Sequence, residues 1–124
     1  MKFYICEHCK NLVEMINDFG VPMTCCGDKM TELVPNTTDA AGEKHVPVLS
    51  VDGSHVKVSV GAVAHPMQDV HYIQWILVET CCGVYRADLK PDDAPEASFT
   101  LREGETVKAV YAYCNLHGLW MTEA

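Results

Sequence analysis

The chain has 124 residues, room for one ordinary domain or for one small and one very small one. Its composition, 48% hydrophobic and 21% charged with no low-complexity run, is that of a globular protein and excludes a disordered chain. A net charge of −8 with histidine neutral argues against nucleic acid, whose phosphates are held by Lys and Arg. No apolar run approaches the roughly 18 residues of a membrane span.

The opening MKFYICEHCK has no apolar signal core, because cysteines and charges interrupt it at once. The expectation is a cytoplasmic protein whose thiols stay reduced. Seven cysteines, an odd number, then need a job other than a disulfide framework. Four of them, Cys6, Cys9, Cys25 and Cys26, fall within residues 1–36. KFYIC and NLVEMI predict short strands there, DFGVP a turn, and TCCGDKM a turn carrying two thiols. Tyr4, Ile5, Leu12, Val13, Ile16, Phe19, Val21 and Leu33 make a thin core. A unit under about 40 residues usually needs a metal or disulfides to fold. Four thiols in so short a window are a metal signal, and tetrahedral sulfur selects zinc or iron without the spacing choosing between them. The metal would supply folding energy that the core lacks. Adjacent Cys25 and Cys26 cannot both take relaxed positions, so they should pull the sulfur–metal–sulfur angles away from tetrahedral. His8 lies between two of these thiols, but four sulfurs complete the site, and it reads as a solvated side chain.

VPNTTDAAGE, residues 34–43, is polar, small and proline-bearing, and reads as a linker between a domain at 1–36 and one at 37–124. Beyond it the pattern changes to short alternating segments. HVKVSVGAV puts Val56, Val58 and Val60 on one face, and HYIQWILVE puts Ile73, Trp75 and Leu77 on one face. LKPDDAPEA is a loop, and ASFTLREGETVKAVYAYC reads as two strands around a Glu-Gly turn. The predicted class is mainly β: a small metal-stapled unit followed by a β-sandwich, with no convincing helical periodicity.

His45, His65, His71, Cys114 and His117 form a second constellation, since a strand–loop–strand layout can bring them to one end of a sandwich. Three His and one Cys fit closed zinc; two His, one Cys and the nearby Met67 fit blue copper. Four His and one Cys exceed what zinc takes and leave one open position on an octahedral ion, the arrangement of a reactive iron. His55 stands alone on the polar side of a valine strand and is left out. Lys44, next to His45, reads on sequence alone as a solvated lysine, on a chain whose overall charge would repel anions.

EKHVPV, GAVAHPMQDVHYIQWI, LKPDDAPEA and YCNLHGLW resemble the desulfoferrodoxin family of superoxide reductases, in the same order and over nearly the whole chain. The cysteine-rich part resembles desulforedoxin and the rest resembles neelaredoxin. The resemblance implies two irons per chain, one of them on Cys6, Cys9, Cys25 and Cys26. It implies an immunoglobulin-like sandwich whose iron has His45, His65, His71 and His117 in a plane and the Cys114 thiolate on the axis. The implied activity is one-electron reduction of superoxide to hydrogen peroxide at the ferrous centre, without dismutation to oxygen, as a detoxification. A rubredoxin-like electron donor and a homodimer are implied as well. The resemblance also implies that Lys44 attracts superoxide and organises the protonating water. It gives Glu43 the role of filling the open position once the iron is ferric. Cys81 and Cys82, in ETCCGVY, match no ligand position of the family. They read as free thiols, buried or at a dimer surface, with a disulfide or an extra metal site as the sharper alternative. Two other classes stand beside the enzyme: a rubredoxin-like electron-transfer protein, and a zinc-stapled binding module.

Overall fold

In the computed structural model, which describes residues 1–124, the chain begins with two hairpins. Lys2–Ile5 (β1) and Leu12–Met15 (β2) pair antiparallel, with Ile5 opposite Leu12, and the turn between them carries Cys6 and Cys9. Thr24–Cys25 (β3) and Asp28–Lys29 (β4) make a shorter hairpin. Its two-residue turn, Cys26–Gly27, has φ of 53° and 82°. Both values are left-handed, as the tightest hairpin turns require. Thr31–Glu32 (β5) returns to the free edge of β1, giving the order β2-β1-β5. This first compact unit spans Met1–Val34. Its buried apolar side chains are Phe3, Ile5 and Cys6, while Ile16 and Phe19 are 85% and 88% exposed. So few buried groups cannot order the segment unaided.

The second compact unit spans Pro35–Ala124. A single helical turn, Gly42–His45 (α1), precedes Pro47–Asp52 (β6) and His55–Val60 (β7), which form a hairpin. Ile73–Thr80 (β8) and Val84–Asp88 (β9) form the next. Glu96–Thr100 (β10), Val107–Cys114 (β11) and Gly118–Glu123 (β12) complete the chain. The strands make two sheets, β10-β7-β6 and β12-β11-β8-β9, a seven-stranded sandwich. Its core joins Val56, Val58 and Val60 to Ile73, Ile76, Val78, Val110, Ala112 and Cys114. Each fully buried valine or isoleucine contributes roughly 1.5–3 kcal/mol. No helix is long and apolar enough to cross a membrane.

One expectation needs correction. Ile73, Trp75 and Leu77 do not share a face of β8. Tyr113 pairs with Trp75 but the next residue, Cys114, pairs with Ile73, so Gln74 is an extra residue on β8. Such a bulge reverses the alternation on one side of it. Ile73 therefore joins Ile76 and Val78 in the core cluster, while Trp75 stacks on Tyr113 with ring centroids 5.6 Å apart. The two strands expected around the Glu-Gly turn at Arg102–Glu105 are β10 and β11; β10 pairs with β7, and β11 with β8 and β12, so the turn carries the chain from one sheet to the other.

The register fixes which loops meet. Pro47 lies opposite Val60, and Cys114 opposite both Ile73 and Gly118. The loops holding α1, residues 61–72 and residues 115–117 thus all leave the same end of the sandwich. The turns at 53–54, 81–83 and 102–105 leave the other.

Candidate metal centres

The four thiols of the first unit converge from its two hairpin turns. Their Sγ atoms lie within 4.8 Å of one another, with Cys9 and Cys25 3.6 Å apart and Cys25 and Cys26 3.9 Å apart. A tetrahedral ion with metal–sulfur bonds of about 2.3 Å places its sulfurs about 3.8 Å apart. The Cys9 backbone N–H points at the Cys6 sulfur from 3.5 Å. That contact is the first cause of a Cys6 thiol lowered to about 6. Cys26 is pushed the other way, to about 12, because its S–H donates to the Cys9 and Cys6 sulfurs. Four thiolates cannot coexist here without a cation between them, so the donor set fits a metal ion. The adjacent pair is accommodated by putting Cys26 in a left-handed conformation, which costs a non-glycine residue about 1 kcal/mol. His8 is solvent-exposed, as expected, with its Nε2 2.6 Å from the exposed Asp28 Oδ2.

At the loop end of the sandwich the five residues of the second constellation come together. His45 neighbours His65 and His117, with ring centroids 4.6 and 4.9 Å apart, and His71 neighbours the same two at 4.6 and 5.0 Å. Each neighbouring pair is crossed at 79–82°. His45 and His71 are 6.3 Å apart and lie across the ring from each other. Four imidazoles thus stand around a square like the blades of a propeller. His45 Nε2 is 3.2 Å from His65 Nε2 and 3.1 Å from His117 Nδ1. The centre of such a square lies about 2.2 Å from each corner, close to the roughly 2.0–2.1 Å of a metal–imidazole bond. The Cys114 sulfur is 3.8 Å from His117 Nδ1 and lies with the His45, His65 and His71 nitrogens in one cluster.

The protons favour a cation at that centre. His45 Nδ1 is 2.7 Å from the Ala41 carbonyl, and His65 Nδ1 is 2.6 Å from the Pro66 carbonyl. A carbonyl only accepts, so both Nδ1 atoms carry the proton and both Nε2 atoms present lone pairs. Those lone pairs face each other, with no hydrogen to share. His71 Nε2 is buried with no hydrogen-bond partner. Burial pushes His45 and His71 down and His65 down to about 4, so neutral rings, the form that binds metals, prevail at pH 7. Burial pushes the Cys114 thiol up, against backbone N–H groups of Leu116 and His117 aimed at its sulfur. A cation would release that proton, as metals do for coordinating thiols. Met67 does not take part: its sulfur accepts the Ile73 N–H at 3.4 Å, and its side chain packs on the core.

Local chemistry explains how the loops hold this geometry. Cys114 and Gly118 are paired across a three-residue turn, and Gly118 sits at φ 75°, a left-handed position that closes such turns. Trp120 packs on the His45 ring at 4.9 Å and donates Nε1–H to the His117 carbonyl at 3.1 Å. Three residues escaped sequence reasoning. Asn115 accepts the Tyr72 N–H at 2.9 Å and donates to the Val70 carbonyl at 3.0 Å, clamping the loop that carries His71. Asn36 makes the same two-sided bond to Met121, at 3.0 and 2.9 Å. Gly61 lies against the backbone of α1, where a Cβ would meet the Glu43 carbonyl oxygen at 2.7 Å and the Val46 oxygen at 3.0 Å. Only the Asn-before-turn and Gly-in-strand-end types hinted at these positions. Gly61→Ala is expected to push α1 aside, costing about 1–3 kcal/mol and lowering metal occupancy of the histidine site. Thermal melting and metal content of the purified variant measure both.

Lys44 and Glu43 are exposed on α1, immediately before buried His45. The Glu43 carbonyl accepts the Val63 N–H at 2.8 Å, which ties this turn to the 61–65 loop. His55 is exposed at the other end of the sandwich. Cys81 and Cys82 are not buried: both thiols are exposed in the β8–β9 turn, at the end of the sandwich away from the histidines.

A seven-stranded sandwich that presents four imidazoles and a buried thiol to one point defines a mononuclear non-haem metal protein, here joined to a sulfur-only metal unit. Comparison with known proteins narrows this class. The Desulfoferrodoxin family model matches residues 37–123. The desulfoferrodoxin of Nitratidesulfovibrio vulgaris is 44% identical over 99% of this chain and 96% of its own. That of Syntrophotalea carbinolica is 46% identical over the same shares. Among solved structures, the superoxide reductase from Treponema pallidum superposes with a TM-score of 0.81 at 38% identity, covering 98% of both chains. The one-iron superoxide reductase from Giardia intestinalis gives 0.57 at 36% identity, covering 66% of this chain and 97% of its own. The chain belongs to the desulfoferrodoxin family.

Proposed function

We infer that this chain is a superoxide reductase, an oxidoreductase that converts superoxide, one electron and two protons to hydrogen peroxide. The observation that carries this reading is the square of four imidazole nitrogens with a buried thiol beside it. Five such donors would hold an iron and leave it room to take a substrate. We assign His45, His65, His71, His117 and Cys114 as ligands of the reactive iron, within residues 37–124. We assign Cys6, Cys9, Cys25 and Cys26 as ligands of the other iron, within residues 1–36. An iron held by the five donors would, in its ferrous form, supply the single electron, and the Cys114 thiolate would enrich it.

The remaining work falls to the chain. Backbone carbonyls of Ala41 and Pro66 hold the Nδ1 protons of His45 and His65, which fixes their tautomers and aims Nε2 inward. The Leu116 and His117 N–H groups moderate the charge on the Cys114 sulfur. Exposed Lys44 gives an anion a positive landing point on a chain of net charge −8. Its Nζ also orders the water that hands protons to the product. Glu43, on the same turn, would offer a carboxylate to an iron held by these five donors. The exposed Ile16, Phe19 and Val21 support a homodimer formed through the first unit. A rubredoxin-like protein is the proposed electron donor, in the cytoplasm, where seven reduced cysteines are stable.

Elemental analysis of anaerobically purified protein tests the assignment. The two donor clusters predict two irons and little zinc per chain; one zinc and no iron would contradict it. Lys44→Ala should retain both irons yet lower the second-order rate with superoxide by roughly tenfold, with a weaker salt dependence. Stopped-flow or pulse-radiolysis kinetics at two ionic strengths check this, and an unchanged rate removes Lys44 from the mechanism.

A further inference from the structure

The turn between β8 and β9 carries adjacent thiols that neither metal centre uses. Cys81 Sγ and Cys82 Sγ are 2.9 Å apart and exposed. They stand at the end of the sandwich away from the histidines, separated from Ile73 by the length of β8, on the order of 20 Å. The turn is held firmly. Cys81 N–H donates to the Thr106 carbonyl at 2.9 Å, Cys82 N–H to Thr80 Oγ1 at 3.1 Å, and Thr80 N–H to the Gly83 carbonyl at 2.9 Å. The Thr80 hydroxyl is tied to Glu105, whose carboxylate also accepts from Tyr85 and from the Arg102 backbone. Gly83, at φ 155°, lets the chain leave the pair in a conformation side-chain-bearing residues rarely adopt.

The sulfur spacing separates two uses of such a pair. The thiols of the four-cysteine cluster stand at 3.6 and 3.9 Å, near the spacing two sulfurs take on a tetrahedral ion. At 2.9 Å, Cys81 and Cys82 are too close for that and nearer to bonding. Glu105, the acidic side chain beside them, is already fully engaged and offers no third ligand. The Cys82 S–H donates to Cys81, which lowers the Cys81 thiol and raises that of Cys82. One sulfur is thus poised as the nucleophile and its neighbour as the resolving thiol.

We propose that Cys81 and Cys82 form a peroxide-reducing dithiol that closes to a vicinal disulfide, acting on the hydrogen peroxide released at the other end of the same domain. The source of that peroxide rests on the superoxide reductase reading; the chemistry of the pair does not. The Cys81 thiolate attacks one peroxide oxygen. The O–O bond breaks, a Cys81 sulfenic acid forms, and the departing hydroxide takes up a proton as water. Cys82 sulfur then attacks Cys81 sulfur. The S–S bond forms, the S–O bond breaks, and the second hydroxide leaves as water with the Cys82 proton. Two thiols lose two electrons and one peroxide becomes two waters. A low-molecular-weight thiol reopens the disulfide by exchange.

The test adds hydrogen peroxide directly to the iron-loaded, reduced protein, alkylates with N-ethylmaleimide, and weighs the peptide containing both residues. The expected peptide has lost two hydrogens, carries no maleimide, and regains both alkylation sites after dithiothreitol. The reaction should run roughly tenfold or more faster than that of reduced glutathione. In Cys82→Ser the reaction should stop at a Cys81 sulfenic acid that dimedone traps. Two alkylatable thiols after peroxide, a rate equal to that of glutathione, or a disulfide joining two chains would overturn the proposal. Because peroxide is supplied, none of these results bears on superoxide reduction. The double variant Cys81→Ser, Cys82→Ser should reduce superoxide at the unaltered rate.

Discussion

Cys114→Ser is expected to remove the visible thiolate-to-iron absorption and to slow superoxide reduction by roughly 100-fold or more. Groups that only orient a metal ligand cost 10–100-fold when removed, and a ligand that sets the electron density of the metal should cost no less. Cys114 is fully buried in the core cluster, at the end of β11, with two backbone N–H groups directed at its sulfur. Serine fits that space, but a buried hydroxyl does not ionise as a thiol does. The uncompensated polar group should cost about 1–3 kcal/mol, leaving the sandwich folded. Absorbance, superoxide kinetics and a thermal melt on one preparation separate these effects. A variant that keeps the band shows that Cys114 is not a ligand of that iron.

Cys25→Ser should unfold the Met1–Val34 unit while leaving Pro35–Ala124 intact. Cys25 Sγ contacts both Cys9 and Cys26, so its loss opens the cluster at its centre. The unit buries few side chains, and structural metals of this kind contribute about 10–16 kcal/mol in small zinc domains. Hydrogen exchange by mass spectrometry should show lost protection over β1, β2 and β5 and unchanged protection over β8 and β11. Protection that persists in β1 and β2 means that Phe3 and Ile5 suffice to fold the hairpin.

What the sequence made legible follows period and chemistry. Alternation placed Val56, Val58 and Val60 correctly, because β7 is regular and one of its faces is buried. The same rule failed on β8, where the extra Gln74 reverses the alternation and both faces are buried. One turn of helix at Gly42–His45 is too short to leave a periodic trace. The candidate ligands stood out because His and Cys are scarce and reactive. The groups that hold them did not, because Asn115, Asn36 and Gly61 act through contacts with residues distant in sequence. The thiols of Cys81 and Cys82 were visible as a pair, but their exposure and spacing emerge only from the turn that carries them.

The central claim is that the chain reduces superoxide rather than dismutating it or merely passing electrons. The most direct measurement is the yield of hydrogen peroxide and of dioxygen when the fully reduced double variant Cys81→Ser, Cys82→Ser, which has no dithiol to consume peroxide, meets a limiting pulse of superoxide. Reduction at the histidine site predicts one peroxide for each superoxide consumed, no dioxygen, and oxidation of one iron per event. One peroxide and one dioxygen for every two superoxides would mean dismutation. No reaction beyond spontaneous decay would mean an electron carrier, and either result would contradict the account.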